Sequence, residues 1–458
     1  MPVITSVLAA NVEIRKREQC CVLVNRRRAG FEILHPSEAY VLSLLDGNIE
    51  ERELENIIRA VYGISPEIAA GLLRDALGNY ASYLVDSREN ICKINRYEPE
   101  DFLYRGFENA GDLNRLLSSP LLLTMDLTRR CNFRCQYCYY GKHLSRGKDM
   151  PGDMALKIID DAANAGVVQI SFGGGESMLY PGFSEIVRAV KNRQMVLSFT
   201  TNGSLLNKEI ISDLVEKGLE SIGVSIDSPD PKMHHLLTRS VNTFDRVISG
   251  IRELKARGVW VRTVSVMTSH NVEAASGLID LLIDLGVDAI NICPYSERSY
   301  EGKKRHFGGS LNEEEKQQLA LLVRKKSVQY SNRVIFFDTR ENIWEVPQNI
   351  RPCTHIFWGF VVHRNGNVFP CELIDDKELC FGNLFKSNIK DVWYGDKRKR
   401  FVHNTINASI VDSECAQCQL LSKCHTGCFN LAKVVSGDYF AKDPRCPGRR
   451  QMCGSLPE

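Results

Sequence analysis

The hydrophobic pattern changes period twice along the chain. In the first hundred residues, Val12-Glu-Ile-Arg-Lys-Arg17 alternates apolar with polar positions, Cys21-Val-Leu-Val-Asn25 runs apolar and Phe31-Glu-Ile-Leu34 follows, which predicts three short strands. Three helices are expected next. Ser37 is the N-cap of the first, with Ala39, Val41, Leu42, Leu44 and Leu45 on its apolar face. Glu51–Tyr62 closes at Gly63, and Ser65–Val85 turns Ile68, Leu72, Leu73, Ala76 and Leu77 inward. Beyond a polar linker over 98–114, Leu121–Leu127, Val167–Phe172, Met195–Thr200, Ser221–Ile226, Val259–Met267 and Ala289–Ile292 read as strands, alternating with helices over 154–165, 183–191, 208–217, 244–257 and 274–285. Such βα units predict an α/β fold, a parallel sheet curled into a partial (β/α)6 barrel with ligands at the carboxyl ends of its strands. Past residue 330 the alternation fades and cysteines return, so we expect three domains, 1–105, 115–330 and 331–458.

Composition narrows the class. The 458 residues carry a formal net charge of +2, which provides no electrostatic reason for a nucleic-acid or anionic-membrane partner. Short basic runs at Arg26–Arg28, Lys303–His306 and Lys397–Arg400 read as solvated surface. No apolar run approaches the ~18 residues of a membrane span and no signal segment opens the chain, so a cytoplasmic protein is expected. Its 16 cysteines cluster at tight spacings, which in a large chain points to metal ligation rather than disulfides.

Asp126-Leu-Thr-Arg-Arg-Cys-Asn-Phe-Arg-Cys-Gln-Tyr-Cys-Tyr-Tyr140 follows the first predicted barrel strand. The spacing of Cys131, Cys135 and Cys138 can set three thiolates around one iron–sulfur cube and leave its fourth iron open. A zinc knuckle or unrelated packed thiols is the competing reading, although C-x3-C is not a usual zinc spacing. The run resembles the radical S-adenosylmethionine (SAM) superfamily, down to the aromatic Tyr137 before the last cysteine. That resemblance implies SAM chelated at the open iron and cleaved to a 5′-deoxyadenosyl radical. It also implies cofactor contacts from Gly174, Gly175 and Glu176, from Thr201 and Asn202 after the third strand, from Ser225 and Asp227 after the fourth, and from Arg239 to the SAM carboxylate. Ser177 stands where the family often has proline. Turn capping is the alternative for Asn202 and Asp227, and His234 and His235 read as surface or supporting residues.

Cys353, Cys371, Cys415, Cys418, Cys424, Cys428 and Cys446 resemble the seven-cysteine SPASM pattern. The resemblance implies two auxiliary clusters, an outer one on Cys415, Cys418, Cys424 and Cys446 and an inner one on Cys353, Cys371 and Cys428, so three [4Fe–4S] clusters in all. Thr354-His-Ile-Phe-Trp-Gly359 stands where some relatives have one more cysteine, which leaves an open iron in the inner set unless Cys293, Cys380 or Cys453 closes it. Cys20, Cys21 and Cys92 read as packed thiols. The order of strands and helices over 1–105 resembles the winged-helix-like RiPP recognition element, which holds a leader peptide by strand addition; a winged helix that only packs on the core is the alternative.

Together these resemblances imply a peptide maturase of the sactipeptide or ranthipeptide type. Its partners are a ribosomally made precursor peptide and a reductant such as flavodoxin or ferredoxin, and its product a thioether between a cysteine sulfur and a carbon. Carbon–carbon or ether crosslinking, epimerisation, and a non-catalytic delivery module are the rivals, with a zinc-based DNA-binding module a third class disfavoured by the charge balance. A metal-bound thiol needs no base, so no acid–base residue is assigned.

Overall fold

The computed structural model describes residues 3–17, 20–88, 97–103, 117–144, 147–300, 302–303, 307–331, 333–337, 355–406, 427–444 and 446. The chain forms two compact units, Met1–Ser118 and Ser119–Glu458.

In the first unit, β1 (Val3–Ile4), β2 (Ser6–Leu8), β3 (Val12–Lys16), β4 (Cys21–Asn25) and β5 (Gly30–Leu34) precede α1 (Pro36–Ser43), β6 (Ile49–Glu50), α2 (Glu51–Tyr62), α3 (Pro66–Asn79) and β7 (Leu84–Asp86). Strands β3, β4 and β5 make an antiparallel meander in which Val12 and Ile14 turn inward while Glu13 and Arg15 do not. Their core meets Leu42, Leu54, Ile58, Leu73 and Ala76 of the three helices. Three expectations fail here. The first helix is capped by His35 instead of Ser37, which lies inside it and donates its N–H to the His35 ring. Helix α3 stops at Asn79 instead of running to Val85, because Leu84–Asp86 pairs with β2 as an antiparallel strand. Ile68 is 55% exposed, because the inward stripe runs through Ala69, Leu73 and Ala76 and leaves it off that face.

The second unit is built on β8 (Leu122–Thr128), α4 (Gly152–Ala165), β9 (Gln169–Gly174), α5 (Phe183–Asn192), β10 (Val196–Thr201), α6 (Lys208–Glu216), β11 (Ser221–Ser225), α7 (Pro231–Thr238), α8 (Phe244–Ala256), β12 (Trp260–Met267), α9 (Ala275–Asp284) and β13 (Ala289–Pro294). Then come α10 (Glu313–Gln329), β14 (Ile335–Phe337), α11 (His355–Trp358), β15 (Gly359–Val362), β16 (Asn367–Phe369), β17 (Gly382–Asn383), α12 (Ile389–Trp393), α13 (Asp396–Ile406) and α14 (Phe429–Ser436). Strands β8 to β13 stand side by side in chain order and all parallel, which is the predicted α/β architecture. Their helices bury one face each, as Ile158, Ile159 and Ala162 do on α4.

The alternation persists further than expected, with α10 and β14 adding a unit beside β13. More consequential is β15, which pairs in parallel with the opposite edge strand β8 and carries β16 and β17 antiparallel beyond it. Gly359 permits this pairing, since a Cβ there would overlap the carbonyl oxygen of Leu122. No helix among the described residues is long and apolar enough to cross a membrane.

Candidate active site

The cysteine loop leaves β8 at Thr128, whose hydroxyl donates to Asp149 at 2.6 Å and accepts the Arg130 N–H at 3.0 Å. The carboxyl end of α7 then braces it. Backbone N–H groups of Arg134 and Gln136 donate to the carbonyls of Thr238 (3.2 Å) and Leu237 (2.8 Å), satisfying helix-end acceptors that lack partners within the helix. Arg239 follows in the left-handed region at φ 51° and lines, with Arg134, Cys135, Cys138, Lys142 and Phe307, a cleft of about 460 Å³.

Cys131, Cys135 and Cys138 are each half-buried. Burial pushes the Cys131 and Cys135 thiols up, and the charges of their sister sulfurs push the same way, so the three stand within electrostatic reach of one another. Among the described residues no three His, Cys, Asp or Glu side chains converge on a single-ion site. Three soft thiolates on one loop suit a multi-iron cube, in which each takes its own iron.

Strand β9 ends in the Gly-Gly-Glu segment. A Cβ on Gly174 would overlap the Asp126 carboxylate, and one on Gly175 would overlap the Arg130 carbonyl oxygen. This closeness lets Gly175 N donate to Thr128 O and Glu176 N to Arg130 O, each at 2.8 Å, zipping the segment to the cysteine loop. The buried Glu176 carboxylate accepts from the Thr201 hydroxyl (2.9 Å), the Asn202 N–H (2.7 Å) and the Met178 N–H (3.2 Å). Burial pushes its pKa up and these donors oppose the shift.

Asn202 caps the turn, the alternative considered for it, and its amide also reaches the cysteine loop. Its Oδ1 caps the turn by accepting from Ser204 N (3.0 Å) and Ser204 Oγ (2.6 Å), while its Nδ2 donates to Asn132 at 2.8 Å and lies 4.0 Å from the Cys131 sulfur. Ser225 ends β11 at the same carboxyl edge of the sheet. Just past it Asp227 is buried, accepting from Tyr137 Oη at 2.6 Å and Val266 N at 2.9 Å, and burial raises its pKa to about 6. His234 is 0% exposed and its Nδ1 accepts the Asp227 N–H at 3.4 Å, so it supports the site from within. His235 Nε2 accepts from Thr243 N (3.1 Å) and Phe244 N (3.2 Å), capping α8.

Sequence reasoning passed over Asn132, Ser204 and the buried Asp126–Arg129 ion pair at 2.8 Å, whose guanidinium lies 4.1 Å from the Tyr300 ring centroid. Asp126 and Arg129 fall inside the cysteine motif itself, but Tyr300 is remote in the chain and carries no local signal.

In the tail, Cys428 N donates to Asp443 Oδ2 (2.8 Å) and Cys446 N to Asp443 O (2.9 Å), so one buried aspartate joins two of the predicted ligands. Cys371 is half-buried, and its neighbour Glu372 accepts from Tyr139 Oη of the cysteine loop at 3.1 Å. Cys353, Cys415, Cys418 and Cys424 lie outside the described residues, as do Cys92 and Cys453. Cys293 donates to Asn291 Oδ1 (3.1 Å) and Cys380 to the Gly382 carbonyl (3.3 Å). Cys20 and Cys21 are fully buried in the first unit.

Residues 125–285 match the radical SAM superfamily model and residues 353–419 the SPASM model, an iron–sulfur cluster-binding domain. The structure of Streptococcus suis SuiB bound to S-adenosylmethionine superposes with a TM-score of 0.64 at 20% identity, covering 96% of this chain and 100% of that one. The structure of anSMEcpe with bound AdoMet and Cp18Cys peptide does so with a TM-score of 0.57 at 20% identity, covering 73% of this chain and 96% of that one. In sequence, the tungsten-containing aldehyde ferredoxin oxidoreductase cofactor-modifying protein of Pyrococcus furiosus is 24% identical over 352 residues, 71% of this chain and 93% of its own length. At these identities the two superpositions speak for the fold, and the motifs speak for the site. The chain therefore carries a radical SAM domain followed by an iron–sulfur SPASM domain.

Proposed function

We propose that this radical SAM enzyme modifies a ribosomally made precursor peptide and installs thioether crosslinks from cysteine sulfur to carbon. One observation carries the reading: the three-cysteine loop is zipped to the Gly-Gly-Glu segment at the carboxyl edge of the parallel sheet, in a chain whose tail matches SPASM. Among solved relatives of this fold, SuiB has been captured with its precursor peptide SuiA over 96% of the present chain at 20% identity, which supports a peptide as substrate.

Cys131, Cys135 and Cys138 would hold the first cluster, and bound there the cluster and SAM supply an electron and a carbon radical able to take hydrogen from a peptide carbon. The chain's own residues position and enclose. Glu176 ties the ends of β9 and β10 beneath the loop, Tyr137 and Asp227 lock it to the fourth strand, and the Arg239 guanidinium at the cleft suits the SAM carboxylate. Cys371 and Cys428, with Cys353, would hold the inner auxiliary cluster. Cys446, with Cys415, Cys418 and Cys424, would hold the outer one. Three donors in the inner set leave a coordination position suited to a substrate thiolate. The first unit would bind the leader peptide.

Anaerobic co-expression with a short cysteine-containing precursor tests the reading. Mass spectrometry should show the product lighter by a hydrogen pair, with fragmentation blocked between a cysteine and its acceptor residue. A hydrogen-pair loss with all thiols still alkylatable would replace thioether by carbon–carbon or ether chemistry, and an unchanged mass with an inverted centre would mean epimerisation. Reconstituted protein should hold about 12 irons if three cubes are present; a value near four would remove the tail assignment.

A further inference from the structure

We propose that Asn430 is a positioning residue that couples the inner auxiliary site to the SAM site, through a closed ring of hydrogen bonds that ties both to one frame. This coupling rests on the radical and inner-cluster readings of the cysteines and adds what holds the two sites in register.

Asn430 is buried on α14. It accepts the Ser299 N–H on Oδ1 at 3.0 Å and donates from Nδ2 to the carbonyls of Ser299 (2.8 Å) and Leu373 (3.1 Å). Tyr300 follows Ser299, and its N–H donates to the Tyr139 carbonyl at 3.0 Å. Tyr139 Oη donates in turn to Glu372, whose neighbour Leu373 returns the circuit to Asn430. Three corners of this ring adjoin proposed ligands: Tyr139 follows Cys138, Glu372 follows Cys371, and Asn430 stands two residues past Cys428. Two further contacts seat it on the SAM side. Tyr300 packs with Tyr140 and Leu144, and Cys131 and Cys138 pack against that cluster. Glu372 Oε2 fills the space over Gly173, where a Cβ would approach it within 2.9 Å, so the segment that carries Cys371 also holds the strand end leading into Gly174, Gly175 and Glu176. A closed ring resists displacement at any corner, because movement there must break or bend a bond at another. Binding at one site is then felt at the other, and equally in both directions. The hub requires an amide, since one acceptor and two donors are all engaged; aspartate has no donor to give and leucine has neither.

The test uses the full-length protein, before and after anaerobic reconstitution, as wild type, Asn430→Leu, Tyr139→Phe and the double variant. Amide hydrogen exchange is read by mass spectrometry along the chain, and SAM affinity by equilibrium binding after reconstitution. We expect Asn430→Leu to speed exchange over residues 138–144 by about tenfold while β9 to β12 stay protected, and to weaken SAM binding to a similar extent. Tyr139→Phe should do the same and also speed exchange over α14, on the far side of the ring, so it carries the test alone if Asn430→Leu does not fold. The double variant should add less than about twofold to either single change, since a ring once opened has little left to lose. Faster exchange confined to α14 in Asn430→Leu, a uniform rise that includes the barrel strands, or losses that multiply in the double variant would each overturn the proposal. Wild-type protein that binds no SAM after reconstitution, with the expected exchange pattern already present before it, would instead overturn the radical reading, and the coupling role with it.

Discussion

Tyr137 donates its hydroxyl to Asp227 at 2.6 Å, pinning the middle of the cysteine loop to the end of a strand 90 residues later. Among the described residues, that carboxylate's other oxygen accepts from Val266 N at 2.9 Å. Tyr137→Phe should therefore leave a buried acceptor under-satisfied and cost about 1–3 kcal/mol. A lower thermal midpoint, with a weakened visible absorbance of the loop's cluster, is the expected result; a wild-type midpoint would show that the bond does not brace the loop.

Glu176 accepts from donors on two different segments, and only a carboxylate can serve all of them. In Glu176→Gln an amide N–H₂ would confront either the Asn202 N–H or the Thr201 and Met178 pair. We expect a loss of about 1–3 kcal/mol and a larger fall in SAM cleavage than Thr201→Val produces, since the latter removes one donor to Glu176 and one acceptor of the Gly203 N–H but sets no donor against a donor. Parallel thermal melts and cleavage assays check the order.

Glycine is needed at Gly175 for space and at Gly182 only for conformation. A Cβ on Gly175 would run into the backbone of Arg129 and Arg130, whereas at Gly182, with φ 71°, nothing lies within 4 Å. Gly175→Ala should displace the cysteine loop and depress iron incorporation, while Gly182→Ala should cost about 1 kcal/mol of strain with iron content kept. Iron analysis after anaerobic reconstitution separates them.

Burial, helped by His235, holds the His234 pKa down at about 4 against an ordinary 6.5. Its Nδ1 already accepts the Asp227 N–H, so protonation would also break that bond. Between pH 6.5 and 4 the unfolded chain takes up the proton that the native state refuses. Stability is therefore fully present above pH 6.5 and falls as pH drops toward 4, by about 3 kcal/mol from this group. Thermal melts of the protein at pH 7.5 and 5 should show the drop, and His234→Asn, which keeps an acceptor but cannot titrate, should make it smaller.

The barrel half of the fold was legible because each βα unit announces itself locally. Apolar runs mark β8 to β13, amphipathic stretches mark their helices, and the observed bounds differ from the expected ones by only a few residues. The cysteine and Gly-Gly-Glu motifs were legible for the same reason, as tight spacings need no knowledge of distant chain. The end of α3 was misread because local periodicity does not know that β2 offers an edge to Leu84–Asp86, and Ile68 because the core takes the stripe through Ala69, Leu73 and Ala76. The addition of β15 to β8 was equally invisible, since nothing near Gly359 names Leu122 as its partner.

The sequence by itself determined the donor set, three thiols in one short loop with a glycine-rich acidic turn one βα unit later, because covalent spacing and residue chemistry travel with the chain. What only the tertiary structure decided is what each of these residues leans on. Tyr137 meets Asp227, Glu176 meets Thr201 and Asn202, and Glu372 beside Cys371 reaches Tyr139. The physical reason is that a buried polar group is defined by its partner, and parallel strands bring partners together from positions far apart in the chain.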